Sequence, residues 1–120
     1  MRINDSQKNL LEKEAIALAT VNEDGSPNVI PVAEARVVNT DQILITDNFM
    51  KMTANNLKRD PRVCLSVWSK DWEEGYKFVG QADYQEKGKW VDKVKQMKAN
   101  KGLQAKAAVL VSVKDIYQLG

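Results

Sequence analysis

Histidine is missing from all 120 residues, and cysteine occurs once, at Cys64. Without an imidazole, one copy of the chain cannot build a Ser-His-Asp or Cys-His nucleophile, a His-ligated zinc site or a proximal-His haem site. A lone thiol allows no internal disulfide, and the place of Cys64 in an apolar strand pattern predicts a small core side chain. Neither a GxGxxG fingerprint nor a GxxxxGK[ST] loop is present, so a Rossmann or Walker-type nucleotide site is not indicated. No apolar run approaches the roughly 18 residues that a membrane span needs, and the opening MRINDSQKNLLEKEA is too polar for a signal peptide. The expectation is a cytoplasmic protein with no membrane partner. Eighteen Lys and Arg against 16 Asp and Glu leave a formal charge of +2, spread without blocks, so nucleic acid is not expected either. With metal sites unpromising and histidine absent, a bound cofactor is the natural carrier of any chemistry near neutral pH.

What is present suits one domain over residues 1–120 with a real core. The stretch ILITDNFMKMTANNLKRDP, residues 43–61, organises the reading. Ile43, Leu44 and Ile45 make a short buried strand, and Thr46, Asp47 and Asn48 stop it with side chains that hydrogen-bond nearby backbone. From Phe49 the spacing of Met50, Ala54 and Leu57 predicts a helix that Asp60-Pro61 ends. A strand feeding a helix leaves amide N–H groups unpaired at the positive end of the helix dipole, with Lys51 and Thr53 in reach. That can be an anion site or an ordinary connection with a solvated lysine.

Ahead of it, Asn4 or Asp5 caps a short helix to about Glu14. Residues Ala15–Val21 form a strand with small side chains along one face, suited to tight sheet packing or to the close approach of something flat. Asn22–Pro27, containing Asp-Gly, turns this strand into a hairpin. Asn28–Val38 reads as one long strand, interrupted, bulged or at an edge where Pro31 cannot donate. Beyond the central stretch, Arg62–Trp68 alternates as a strand. Ser69–Gly75 is a polar loop carrying Trp72, and Tyr76–Tyr84 is a strand with a bend or bulge at Gly80. Glu86–Ala99 predicts an amphipathic helix with a solvated lysine face, Ala105–Val113 a last strand buried on both faces, and Lys114–Gly120 a tail. The sum is a mostly β fold with peripheral helices, a six-stranded antiparallel β-barrel with two or three helices.

Three stretches together carry a family resemblance: ALATVNEDGSPNVIPV, ITDNFMKMTANNLKRDPRVCLSVW and GYKFVGQADY. In their order the chain resembles the pyridoxamine 5'-phosphate oxidase-like family of FMN-binding split barrels, particularly its short FMN-binding members, from Ala15 to about Tyr117. The resemblance implies a split barrel that holds the FMN phosphate at Lys51, Met52, Thr53 and Asn56. It implies that the flavin ring and ribityl chain lie against Val29, Ile30, Pro31, Val32, Thr46, Asp47 and Asn48. Relatives often carry Lys or Arg where Met52 stands, and Lys51 lies one residue earlier. The resemblance further implies a homodimer with each flavin at the subunit interface, where Trp68, Trp72 or Tyr117 of one copy closes the other's site. It implies an oxidoreductase or electron-transfer protein using FMN for hydride or electron transfer, with NAD(P)H or a redox protein as partner. It assigns no catalytic residue and no substrate. The alternatives are a non-catalytic FMN-binding or sensing module, and a split barrel that takes a deazaflavin or haem.

On this reading Thr53→Ala weakens FMN binding by about 1–3 kcal/mol, the range for a hydrogen bond to a charged group. A fluorescence titration checks it, and unchanged affinity would move the phosphate elsewhere.

Overall fold

In the computed structural model, which describes residues 2–97 and 102–119, the elements follow the patterning of the sequence closely. Asn4 caps α1 (Asp5–Lys13) through a reciprocal capping box with Gln7, and Leu10 and Leu11 turn inward from it. The first hairpin joins β1 (Ile16–Val21) to β2 (Pro27–Val32). Its turn closes on a Gly25 N–H to Asn22 carbonyl bond of 2.9 Å, and Gly25 takes a φ of 89° that favours glycine. After β2 the chain bends at Ala33 and Glu34, then forms β3 (Ala35–Asn39) and β4 (Gln42–Asp47). The helix α2 (Met52–Arg59) leads to β5 (Arg62–Trp68), β6 (Gly75–Gln85), α3 (Lys89–Lys95) and β7 (Ala107–Gln118).

All strand pairs are antiparallel, and the sheet order is β2-β1-β5-β6-β7-β4-β3. The two edge strands, β2 and β3, are consecutive in the chain and separated by two residues. The sheet must therefore curl until its edges meet at Ala33–Glu34, although no ladder joins them. This is a split barrel of seven strands, not the six expected. The extra strand comes from the 28–38 stretch, which the bend divides two residues beyond Pro31, and Pro31 itself lies in an edge strand.

Inside the curl, Ile16, Leu18, Ile43, Ile45, Leu65, Phe78, Val109 and Val111 form one buried cluster, into which α1 sends Leu10 and Leu11 and α2 sends Ala54 and Leu57. A second cluster lies outside β4 and β7, where Val91, Val94 and Met97 pack on Leu44, Ala108 and Leu110. Covered from both sides, β4 and the first half of β7 read as continuous apolar runs.

Several boundaries depart from the sequence reading. The helix expected from Glu86 begins at Lys89, because Gly88 has a φ of 111°, outside helical geometry. It ends at Lys95, and the last two residues of that expectation, 98–99, lie outside the described residues. The helix expected from Phe49 begins at Met52. The last strand runs on to Gln118 because the eleven-residue β6 offers it a partner as far as Tyr76. Cys64, expected in the core, is only half-buried on the outer face beside Ala19 and Val79. Burial pushes its thiol pKa up, against a smaller opposing pull from Lys77. At the end of α2, the Arg62 side chain bonded to the half-buried Asp60 carboxylate lowers its pKa to about 2. Its contribution is present above pH 3.8 and is lost as pH falls through 2.

The register of β6 on β7 shifts between Val79 and Gly80, the bulge expected at that glycine. A Cβ at Gly80 would lie 2.1 Å from the backbone carbonyl oxygen of Ser112. Gly80→Ala is therefore expected to cost about 2–4 kcal/mol in urea denaturation, because backbone must move to admit one methyl group.

Candidate functional site

The turn between β4 and α2 is set by the carboxylate of Asp47, which is fully buried at 0% exposure. Its Oδ1 accepts the Met50 N–H at 2.7 Å, which keeps Met50 out of the helix and delays α2 to Met52. Its Oδ2 accepts the Tyr84 hydroxyl, and Lys106 Nζ stands 3.8 Å from the same oxygen. Lys106 also donates its ammonium to the Met50 carbonyl and its backbone N–H to the Asp47 carbonyl, the latter at 2.9 Å. Burial, then the hydrogen bond and charge of Asp47, push the Tyr84 phenol pKa up, so the hydroxyl stays protonated and donates.

Beyond the turn, Lys51 occupies the N-cap of α2 without a capping hydrogen bond. The first bond of the helix runs from the Asn55 N–H to the Lys51 carbonyl at 3.0 Å. The amides ahead of Asn55 have no intrahelical partner, and the positive end of the dipole faces outward. Among the described residues Lys51 makes no ion pair.

A groove of about 410 Å³ opens against this turn, within the size range of small-molecule sites. One wall is the end of β2 and the bend, Ile30–Glu34; the other is Thr46 with residues 48–53; Met97 and Leu103 complete it. Apolar surface dominates the lining. Its polar groups are Lys51 at the helix start, Glu34 at the bend, Thr46, Thr53 and Asn48, whose Oδ1 is a buried acceptor with no partner among the described residues. Phe49 and Met52 are exposed at the rim. A second depression lies across the ridge of Lys51 and Met52, lined by Asn22, Glu23, Asp24, Asn55, Asn56 and Arg59. It is more open to solvent, and its lining carries opposite charges.

A buried polar network ties α2 to the first hairpin. Asn28 Nδ2 donates to Thr20 Oγ1 at 3.1 Å and to Thr53 Oγ1 at 3.0 Å. Asn56 Nδ2 donates to Thr20 Oγ1 at 3.0 Å and to Asn22 Oδ1 at 2.9 Å, while Arg59 donates to Asn56 Oδ1 and the Val21 carbonyl. The groove floor is thus fixed from two directions.

Of the residues singled out in the sequence, Ile30, Pro31, Val32, Thr46, Asn48, Lys51, Met52 and Thr53 line the groove together. Val29 is 65% exposed on the outer face of β2, Asp47 is the buried organiser of the turn, and Asn56 belongs to the network. Thr53 lines the groove while its hydroxyl oxygen accepts from Asn28. Sequence reasoning missed Ala33, Glu34, Phe49, Met50, Met97 and Leu103 as lining residues, and Tyr84 and Lys106 as supports of the turn. The first four adjoin residues the sequence singled out, whereas Met97, Leu103, Tyr84 and Lys106 come from distant parts of the chain, and only the sheet order brings them there. Among the described residues no group of His, Cys, Asp and Glu is placed to hold a metal ion, and no helix is long and apolar enough to cross a membrane.

The family model of pyridoxamine 5'-phosphate oxidase matches residues 3–120. An uncharacterised protein of Methanocaldococcus jannaschii is 32% identical over 124 residues, covering 99% of this chain and 82% of that protein. Among solved structures, HupZ from Group A Streptococcus superposes with a TM-score of 0.90 at 24% identity, covering 98% of this chain and 94% of the other. An FMN-binding protein from Syntrophomonas wolfei superposes with a TM-score of 0.78 at 15% identity, covering 94% and 83%. The fold recurs in an F420 reductase and in HutZ, the haem storage protein of Vibrio cholerae, each with a TM-score of 0.73 at 19% identity. At such identities the structures establish the fold alone.

The network generates a stability test. Asn56→Ala removes two donated hydrogen bonds and one of the two acceptors of Arg59, and is expected to cost about 1–3 kcal/mol in urea denaturation.

Proposed function

The chain belongs to the pyridoxamine 5'-phosphate oxidase family, and within it we propose an FMN-binding flavoprotein that acts as an oxidoreductase or electron-transfer protein. The observation that carries this reading is the groove, where a helix start bearing Lys51 adjoins apolar walls and the buried Asn48 Oδ1, neither of them paired among the described residues. FMN asks for those features: a slot for a flat ring, an acceptor for the single ring N–H, and donors for a phosphate. Ile30, Val32, Met50, Met97 and Leu103 would hold the ring, Asn48 Oδ1 would accept the ring N–H, and Lys51 with the first amides of α2 would take the phosphate. The bound flavin supplies hydride and electron transfer, which accounts for a site without histidine. Electrons come from NAD(P)H or a protein redox partner.

The same reading makes the protein a homodimer with flavin at the subunit interface. The outer face of β2, β1, β5 and β6 supports this. Val29, Ala19, Cys64 and Val79 lie in one cross-strand row there, with Pro31, Ala17, Ser66, Lys77 and Tyr117 in the next. Neither buried cluster includes a helix packed on that face. Pro31 belongs both to it and to the groove, so a second copy seated on the face would overhang the groove. Trp72, 78% exposed and stacked on Trp68 at 6.1 Å, stands beside the same face. Imidazole-ligated haem is disfavoured because the chain has no histidine.

The purified protein should show a flavin spectrum or bind added FMN at micromolar concentration, and failure to do so would sink the reading. Lys51→Ala is expected to weaken FMN about tenfold, in keeping with the loss of a charge-assisted contact, and to change riboflavin, which lacks the phosphate, far less. Paired fluorescence titrations with the two flavins measure the difference.

A further inference from the structure

The Asp47 carboxylate lies at the N-terminal approach to α2, in the turn that forms one wall of the groove. An unbalanced negative charge there would oppose any anion at the helix start and would be costly to bury. Lys106 is the one described cation within ion-pair distance of Asp47. It reaches the turn from just ahead of β7, with its side chain 47% exposed. Its ammonium also grips the Met50 carbonyl, and its backbone N–H grips the Asp47 carbonyl. One residue thus ties residues 47 and 50 together and neutralises the buried carboxylate, while lying outside the groove lining.

Resting on the FMN reading, we propose that Lys106 is a positioning and charge-balancing residue for anion recognition, acting through Asp47 and Met50 without touching the ligand. From just ahead of β7 its ammonium offsets the negative charge that Asp47 would otherwise place beside the start of α2. Tyr84 has the complementary part, since its hydroxyl saturates Asp47 but cannot balance its charge. The role therefore belongs to the Asp47–Lys106 pair. Removing Lys106 alone leaves a buried, unbalanced carboxylate behind the turn, whereas removing both charges restores a neutral turn in which Asn at position 47 can still accept the Met50 N–H.

The test compares the native protein, Lys106→Met, and the double variant Asp47→Asn with Lys106→Met, each titrated with FMN and with riboflavin. Circular dichroism and thermal unfolding establish that each is folded. The single variant should lose about tenfold in FMN affinity, an effect typical of stranding one member of a buried charge pair, with riboflavin affected less than twofold. The double variant should regain most of the FMN affinity. An equal loss for both flavins, or a double variant as weak as the single one, would overturn the proposal and leave Lys106 a purely structural clamp. If the native protein bound neither flavin, the FMN reading would fail by itself. The same three proteins would then be titrated with inorganic phosphate and followed by thermal shift. Stabilisation of the native and double-variant proteins but not of Lys106→Met upholds the inference, and any other pattern overturns it.

Discussion

A connection of two residues governs this structure. Ala33 and Glu34 join strands at opposite edges of a seven-stranded sheet, so the sheet has to curl until those edges are neighbours. Curling gives an interior that α1 and α2 can fill, and it brings the end of β2 against the β4–α2 turn. The groove is the gap left where the edges meet without pairing. The bulge at Gly80 belongs to the same geometry, because a bulged strand twists more strongly and lets β6 and β7 follow the curve. The Ser112 carbonyl approaches Gly80 so closely that no side chain fits at that position.

Two polar arrangements hold the groove, and they differ in kind. The one around Thr20, Asn28, Thr53 and Asn56 consists of neutral groups that satisfy one another at the base of α2. The one around Asp47 is ionic, and its worth depends on every member being present: a buried carboxylate with a backbone donor, a phenol and an ammonium is acceptable, and the same carboxylate without them is not. The neutral network places the helix, and the ionic one shapes the turn leading into it.

How much was legible follows from range. Local signals read well: the Asn4 cap, the Asp24-Gly25 turn, the span of β5 from Arg62 to Trp68, the bulge at Gly80 and the breadth of burial around Ile43–Ile45 all depend on neighbours in sequence. Phe49 and Met50 misled because their apolar spacing suits a helix, while Asp47 captures the Met50 amide first. Cys64 misled because strand alternation does not reveal which face lacks a covering helix. Most of the groove lining was found by family resemblance combined with the strand-to-helix junction. Lys106 and Tyr84 were not, since sequence distances of 56 residues from Met50 and 37 from Asp47 carry no periodic signal.

The prolines of β2 have a consequence at the sheet edge. Pro27 and Pro31 sit at alternate positions of an edge strand whose inner side is paired to β1 throughout, so the donors they lack belong to the outward row. Between them only Val29 offers that row an amide. An extended peptide arriving at the rim finds acceptors but almost no donors, and cannot zip itself on as another strand. The β2 edge is thereby a poor template for another strand, on this chain's copies as on a foreign peptide.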